Sequence, residues 1–391
     1  MREVAIAGIG MHRFGRWGDK TDLELGLDAS KKAVKDAGMK WRDIQAMACG
    51  KFTSGSSEGN NIWALGGATG IPIVNLENAC ATGGSAFRLA CQWVAAGFYD
   101  ICLAVGMDKM PRHFITVQSP DKDDDYWRWR LAGVSNPSYW ALDCNRYTHR
   151  HGLTVEKMTD VLVKIAVKNK KNGAMNPNAW YQKEVTPEEV LKSPMVAYPI
   201  RQFMICTPDE GGAAVVVTTK EIAKKFANGR PIVTVAAYQL GSKFYGAPSA
   251  EVVDLSFNPI GNTPSVTKDT ARRAFEQAGI GPKDIDMVEL QDTCAWNELE
   301  YFEEMGLCRP GEAPSLIEKG VTSLGGKLPV NPDGGLISKG EPPGASQLAQ
   351  IHEVVLQLKG NAGPRQVEGA KVGLCHVYGG HGNSSVVILK K

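Results

Sequence analysis

The 391-residue chain contains no run of about 18 consecutive apolar residues, so no membrane-spanning helix is expected. It also lacks the basic start and short apolar stretch of an export signal, which makes the cytoplasm the expected location. No charge excess stands out either. The 44 Lys and Arg against 42 Asp and Glu leave a formal net charge of +2, so neither a nucleic-acid nor a membrane partner is expected. The nine cysteines (49, 80, 91, 102, 144, 206, 294, 308 and 375) are scattered singly, and none forms a Cys-x-x-Cys pair. A metal site is therefore not expected, and reduced thiols, most of them small buried apolar groups, are. Gly8-Ile9-Gly10 begins like a dinucleotide-binding loop, but Gly15 does not complete the Gly-x-Gly-x-x-Gly spacing. No bound nicotinamide, or any other bound cofactor, is expected.

What is present is enough apolar sequence for more than one core, and an internal echo that divides it. Ala29–Gly38 followed by Asp43-Ile44 has the layout of Thr270–Gly279 followed by Asp284-Ile285, each residue 241 positions from its counterpart. Both segments read as a helix closed by Gly and followed by a strand-length apolar run. A period this long means two related domains, with expected spans of 1–225 and 226–391. Further strand-like runs are Val4–Ile9, Ile101–Val105, Ala213–Thr218, Ile232–Ala237, Lys371–Cys375 and Ser385–Leu389, with helical stretches between them. The expected class is α/β, with parallel sheets covered by helices. Residues 110–200 interrupt the first half. They are rich in Trp, Tyr, Arg, Asn and Pro, include Asp121–Asp125, and hold a predicted helix near Val155–Lys170. Such an insertion is expected to be a lid, binding loop or interface.

Cys80 stands out among the cysteines. It precedes a helix expected to begin near Thr82, with Gly83 and Gly84 in the first turn. Free amides and the helix dipole at such an end favour a thiolate, and the small residues are expected to leave room for an acyl group. A thiolate there is a nucleophile for acyl transfer.

The segment Asn78-Ala79-Cys80-Ala81-Thr82-Gly83-Gly84 resembles the nucleophile motif of thiolases, particularly the sterol-carrier-protein and lipid-transfer-like branch. The resemblance runs through Tyr198–Asp209 and Gly211–Val217, Val288–Leu299, Asn331–Ala345 and Leu374–Gly382, essentially the whole chain. It implies two duplicated α/β halves in a five-layered α-β-α-β-α arrangement and a homodimeric core. It further implies acyl-CoA substrates, with coenzyme A as co-substrate. Cys80 would be the acylated nucleophile, and Asn297 would orient a water or donate toward an oxyanion, unless it serves as a helix cap. Gln291, Cys294, Ser338, Gly344 and Gly380 fall in the motifs that surround the substrate.

Three departures accompany this resemblance. The family's Gly-His-Pro is Gly340-Glu341-Pro342 here. An ionised carboxylate accepts hydrogen bonds but cannot donate them, so Glu341 suits a base for Cys80, provided burial raises its pKa, and not an oxyanion donor. The last motif, His376-Val377-Tyr378-Gly379-Gly380-His381, lacks the family's cysteine, leaving His381 as a candidate donor or proton carrier and His376 as a structural histidine. Where relatives have His-Asp-Cys-Phe, this chain has Gln291-Asp292-Thr293-Cys294, which shifts the cysteine by one residue and turns it toward the other face.

The expected activity is thiolytic cleavage of a β-ketoacyl-CoA through an acyl-Cys80 intermediate. The insertion's Tyr126, Trp127, Trp129, Tyr139 and Trp140 suit a bulky or aromatic acyl group, such as that of benzoylsuccinyl-CoA cleaved to benzoyl-CoA and succinyl-CoA. Retro-aldol cleavage and a non-catalytic acyl-CoA or lipid carrier are the alternatives. A small zinc-ribbon, OB-fold partner subunit is implied by the same branch.

Overall fold

A computed structural model describes residues 1–52, 57–111, 136–244, 265–380 and 382–391. The strands β1 (Val4–Gly15) and β7 (Glu210–Thr219) are buried along almost their whole length, and only Arg13 of β1 is exposed. Strands buried on both faces need helices on each side, and these two occupy the middle of the molecule. With β2 (Ala46–Gly50), β3 (Ile73–Leu76), β4 (Ile101–Lys109), β8 (Val233–Ser242), β9 (Met287–Glu289), β10 (Val372–Gly379) and β11 (Asn383–Lys390) they form one sheet. Its order is β3-β2-β4-β7-β1-β8-β11-β10-β9. Within the sheet, the strands of the two halves join at a narrow seam, where β1 pairs with β8 at Ala5–Thr234 and Ile6–Val233.

The expectation of parallel sheets needs correction. Only β2–β3, β2–β4 and β9–β10 are parallel; every other neighbouring pair in the sheet is antiparallel. The parallel set β2, β3 and β4 is connected by the helices Glu58–Gly67 and Thr82–Ala96, the crossovers that parallel pairing requires. By contrast, β10 turns directly into β11 and can only return antiparallel. Strand β3 was not among the strand-like runs, because it is a short edge strand with polar Asn75 inside it.

The helices complete five layers. Helices Asp22–Asp36 and Glu58–Gly67 cover the outer face of the first-half strands, and Val266–Ala278 covers β8 and β11. Between the two sets of strands lie Thr82–Ala96 and Pro343–Lys359, which pack on each other and on strands of both halves. Their apolar residues, including Phe87, Val94, Leu348 and Val355, fill one continuous core.

The sequence echo is also a structural one. Gly38 and Gly279 close their helices with φ of 69° and 63°, a conformation that a side chain would disfavour. Each is followed by a 3-10 turn, Trp41–Asp43 or Pro282–Asp284. In each turn the aspartate Oδ2 accepts a 2.8 Å hydrogen bond, from Lys40 N or Gly281 N.

The insertion contributes the helices Asn136–Arg150, Val155–Ala174 and Pro187–Lys192, and a hairpin of β5 (Met195–Ala197) and β6 (Ile200–Arg201). It is tied to its own half where Phe14 N of β1 donates to Asn178 O at 3.0 Å, but it also packs on the second half. Its Met158, Leu162 and Ile165 share a cluster with Trp296, Leu299 and Leu336 of the second half. Trp140 is buried in this cluster and Tyr139 packs on it, whereas Asp121–Asp125, Tyr126, Trp127 and Trp129 lie outside the described residues. No described helix is long and apolar enough to cross a membrane.

Candidate active site

Two buried helices begin at the same place, and each is preceded by a candidate catalytic side chain. Cys80 stands two residues before Thr82–Ala96, and Glu341 stands two residues before Pro343–Lys359. The turn carrying Cys80 is fixed by local hydrogen bonds. Asn78 N donates to Thr82 Oγ1 at 2.8 Å, Ala79 N to Glu77 Oε1 at 2.6 Å, and Ala81 N to Asn78 O at 3.0 Å. Ala79 is held at φ 47°, a left-handed conformation costly for a residue with a Cβ. Cys80 is partly exposed, while its neighbours Ala79 and Ala81 are buried.

The glycines after Cys80 do not make room for a ligand, contrary to the sequence-based expectation. A Cβ on Gly83 would lie 2.7 Å from Gly344 O, and one on Gly84 would strike the Gln347 side chain. Their bareness lets the second helix approach. Gly344 is therefore a packing residue as well: its N donates to Asp108 Oδ2 at 2.6 Å, and its carbonyl lies against Gly106 and Gly83. This close approach brings the two helix starts together.

Glu341 is 1% exposed, and three donors converge on its carboxylate. Cys206 Sγ donates to Oε2 at 2.8 Å, Gln291 Nε2 to Oε1 at 3.2 Å, and the Cys80 thiol also hydrogen-bonds to it. Burial raises the carboxyl to about 7, although all three hydrogen bonds favour its ionised form. The residue thus meets the condition set for a base working near neutral pH. Its backbone is held by Glu341 N donating to Thr207 O at 3.0 Å. Beside it, Asp209 is fully buried against Gly340, and burial pushes its carboxyl well above the usual range.

Gln291 belongs to this cluster. Its Nε2 also donates to Thr293 Oγ1 at 3.1 Å, and its Oε1 accepts from Tyr378 N at 2.7 Å, which ties the Glu341 pocket to the end of β10. Gly379, next along, lies against Asn78 O and Ala81 N, so the turn after β10 flanks Cys80. Gly380 sits in that turn, its carbonyl accepting from Asn383 Nδ2 at 3.3 Å. His381 lies outside the described residues.

Other candidates are placed elsewhere. Cys294 is fully buried in the apolar cluster with Trp296 and Leu299, and burial pushes its thiol up. Asn297 has both polar ends committed: Oδ1 accepts from Cys294 N at 3.0 Å, and Nδ2 donates to Glu300 Oε2 at 3.1 Å. That is a capping contact, made from the third residue of the helix and not from the cap position. Ser338 Oγ donates to Tyr181 O at 3.0 Å, joining the second half to the insertion. His376 is buried, its Nε2 meeting Thr267 Oγ1 at 3.2 Å, and burial lowers its pKa to about 3. It is a neutral structural histidine.

Cys206 was missed. It lies within the Tyr198–Asp209 segment that carried part of the resemblance, but nothing about a single buried cysteine marks it in sequence. Its backbone N donates to Thr293 O at 2.8 Å, placing it between the start of β7 and the Gln291 segment.

Comparison with known proteins is consistent along the chain. Residues 4–197 match the "Thiolase, N-terminal domain" model, and residues 261–391 match "Thiolase C-terminal domain-like". The acetyl-CoA acetyltransferase of Methanothermobacter thermautotrophicus is 34% identical over 99% of both chains. Sterol carrier protein 2 of Oryctolagus cuniculus is 33% identical over 99% of this chain and 72% of the relative. The benzoylsuccinyl-CoA thiolase subunit BbsB of Thauera aromatica is 33% identical over 97% and 95%. Among solved structures, an Ltp2-ChsH2(DUF35) aldolase superposes with a TM-score of 0.84 at 23% identity, covering 99% and 98%.

Proposed function

The chain belongs to the thiolase family, in its sterol-carrier-protein-like branch, and from that premise we propose thiolysis of a β-ketoacyl-CoA through an acyl-Cys80 intermediate. The protein is an acyltransferase of CoA-dependent chemistry. The observation that carries it is the hydrogen bond between the Cys80 thiol and the buried Glu341 carboxyl.

In this reading Glu341 removes the Cys80 proton, and the thiolate attacks the β-carbonyl carbon. The carbon–carbon bond breaks, the departing carbanion is protonated, and CoA then takes the acyl group from sulfur. Both helix starts favour the negative charge that develops between them. Glu341 cannot donate while ionised, so stabilising the oxyanion falls to backbone N–H groups of the Cys80 turn and the turn after β10, and to His381. Asn297 takes a capping role.

A bulky or aromatic acyl group, with benzoylsuccinyl-CoA the specific candidate, is supported by the likeness to BbsB over most of both chains. A small partner subunit is supported by that relative being a subunit and by the likeness to an Ltp2-ChsH2(DUF35) aldolase. A homodimer fits the free edge of β3, where Val74 is 39% exposed. We place the division between the halves at 225/226, in the last turn of the helix Lys220–Phe226 that precedes β8.

The test is intact-mass analysis after incubation with acetyl-CoA, succinyl-CoA or benzoyl-CoA, with and without a partner subunit. An acyl adduct lost in Cys80→Ser and released by CoA is expected. Carbon–carbon cleavage that persists in Cys80→Ala, with no adduct in the wild type, would replace this reading with retro-aldol cleavage. Neither adduct nor turnover would leave a carrier.

A further inference from the structure

We infer that Cys206 is the acid that protonates the departing carbanion, working through the same carboxylate that deprotonates Cys80. The inference rests on the thiolysis reading and identifies a residue that reading leaves open.

Two thiols share one buried carboxylate. Cys206 donates to Glu341 Oε2 at 2.8 Å, and Cys80 bonds to the same group. Thiolysis needs two proton movements in its first half, one away from sulfur and one onto carbon. Cys206 is only 4% exposed, so bulk water is poorly placed to supply the second proton. The other cysteine considered for the task, Cys294, is enclosed by Trp296 and Leu299 and has no part in the Glu341 group. Burial, reinforced by the Glu341 charge, pushes the Cys206 thiol well up, so it keeps its proton until a strong base such as a carbanion forms beside it.

The step balances without any oxidant or reductant. The Cys80 proton passes to the Glu341 carboxylate, and the sulfur bonds to the β-carbonyl carbon. The carbon–carbon pair moves to the α-carbon, which takes the Cys206 proton. The Cys206 thiolate is then neutralised by the proton on Glu341, through their existing hydrogen bond. The products are acyl-Cys80, the shortened CoA thioester, and Glu341 and Cys206 in their starting states.

The experiment compares two rates in wild type, Cys206→Ser and Cys206→Ala. One is acylation of Cys80 by whichever of acetyl-CoA, succinyl-CoA and benzoyl-CoA labels the wild type, read by intact mass. The other is exchange of the α-protons of acetyl-CoA and succinyl-CoA into D2O, read by proton NMR. Ser keeps a donor for Glu341 and so protects the fold, while Ala removes it. The expected result is a fall of about 10²-fold or more in exchange, with acylation reduced far less, so that their ratio drops at least about tenfold in both variants. Full exchange in Cys206→Ala would overturn the inference and leave Glu341 to move both protons. Equal loss of both rates would reduce Cys206 to a support for Glu341. A wild type that forms no adduct at all would sink the thiolysis reading and this inference with it.

Discussion

The two central helices occupy the same layer and present their N-termini to the same point, yet the groups they present are treated oppositely. Cys80 is left partly open on a strained turn, where a substrate can reach it. Glu341 is sealed at 1% exposure, with its carboxyl raised to about 7 by that burial. A nucleophile needs access and a base needs a tuned proton affinity, and in the thiolysis we propose the two helix starts supply these by the identity and the depth of the side chain two residues before each helix.

The largest effect expected from breaking this pair is at Cys80. Cys80→Ser should reduce kcat/KM by roughly 10⁴-fold or more and abolish the acyl adduct, because a hydroxyl is far less acidic than a thiol. An adduct of undiminished rate would place the nucleophile elsewhere.

Glu341→Gln should lower kcat by about 10²–10⁴-fold and remove a limb of the pH–rate profile that rises through pH 7. The same substitution should affect stability in the opposite sense. A carboxyl raised from about 4.5 to about 7 in the fold leaves stability unaffected below pH 4.5 and weakens it as pH rises toward 7, by at most about 3 kcal/mol. Glu341→Gln should therefore gain melting temperature relative to wild type at pH 8 but not at pH 4.5. An equal shift at both pH values would mean that the carboxyl is not strained by burial.

The helix approach can be broken without touching either reactive group. Gly106→Ala places a methyl against Gly344 O and should cost about 1–3 kcal/mol, read as a lower denaturant midpoint at unchanged slope. Activity should fall alongside, because the two helix starts would separate.

The smallest effect is expected at Asn297. Loss of its capping contact in Asn297→Ala should cost about 1 kcal/mol, with kcat changed less than about threefold. A hundredfold loss of kcat in a stable variant would return Asn297 to the chemistry.

Much of the fold was legible because its signals are local. The helices closed by Gly38 and Gly279, their turns and the long apolar strands each follow from neighbouring residues, and the 241-residue echo needed only comparison of the chain with itself. Edge strand β3 was not legible, being short and polar, nor was the antiparallel pairing, which depends on how strands return. At the site, Cys80 and Glu341 stand out through their motifs, and a base at Glu341 requires the burial that the fold supplies. Gly83 and Gly84 were misread as ligand space, since a missing side chain in sequence does not say what fills its place. Cys206 and Gln291 come from segments 85 residues apart, and only folding sets them on one carboxylate.

By itself, the sequence determined the thiolase-like motif around Cys80, the duplicated α/β plan and the carboxyl that stands where the family motif has histidine, because each is written in contiguous residues. Only the tertiary structure decided which side chains meet that carboxyl and how deeply it is buried. Hydrogen bonding and desolvation act through space, between groups that the chain order keeps far apart.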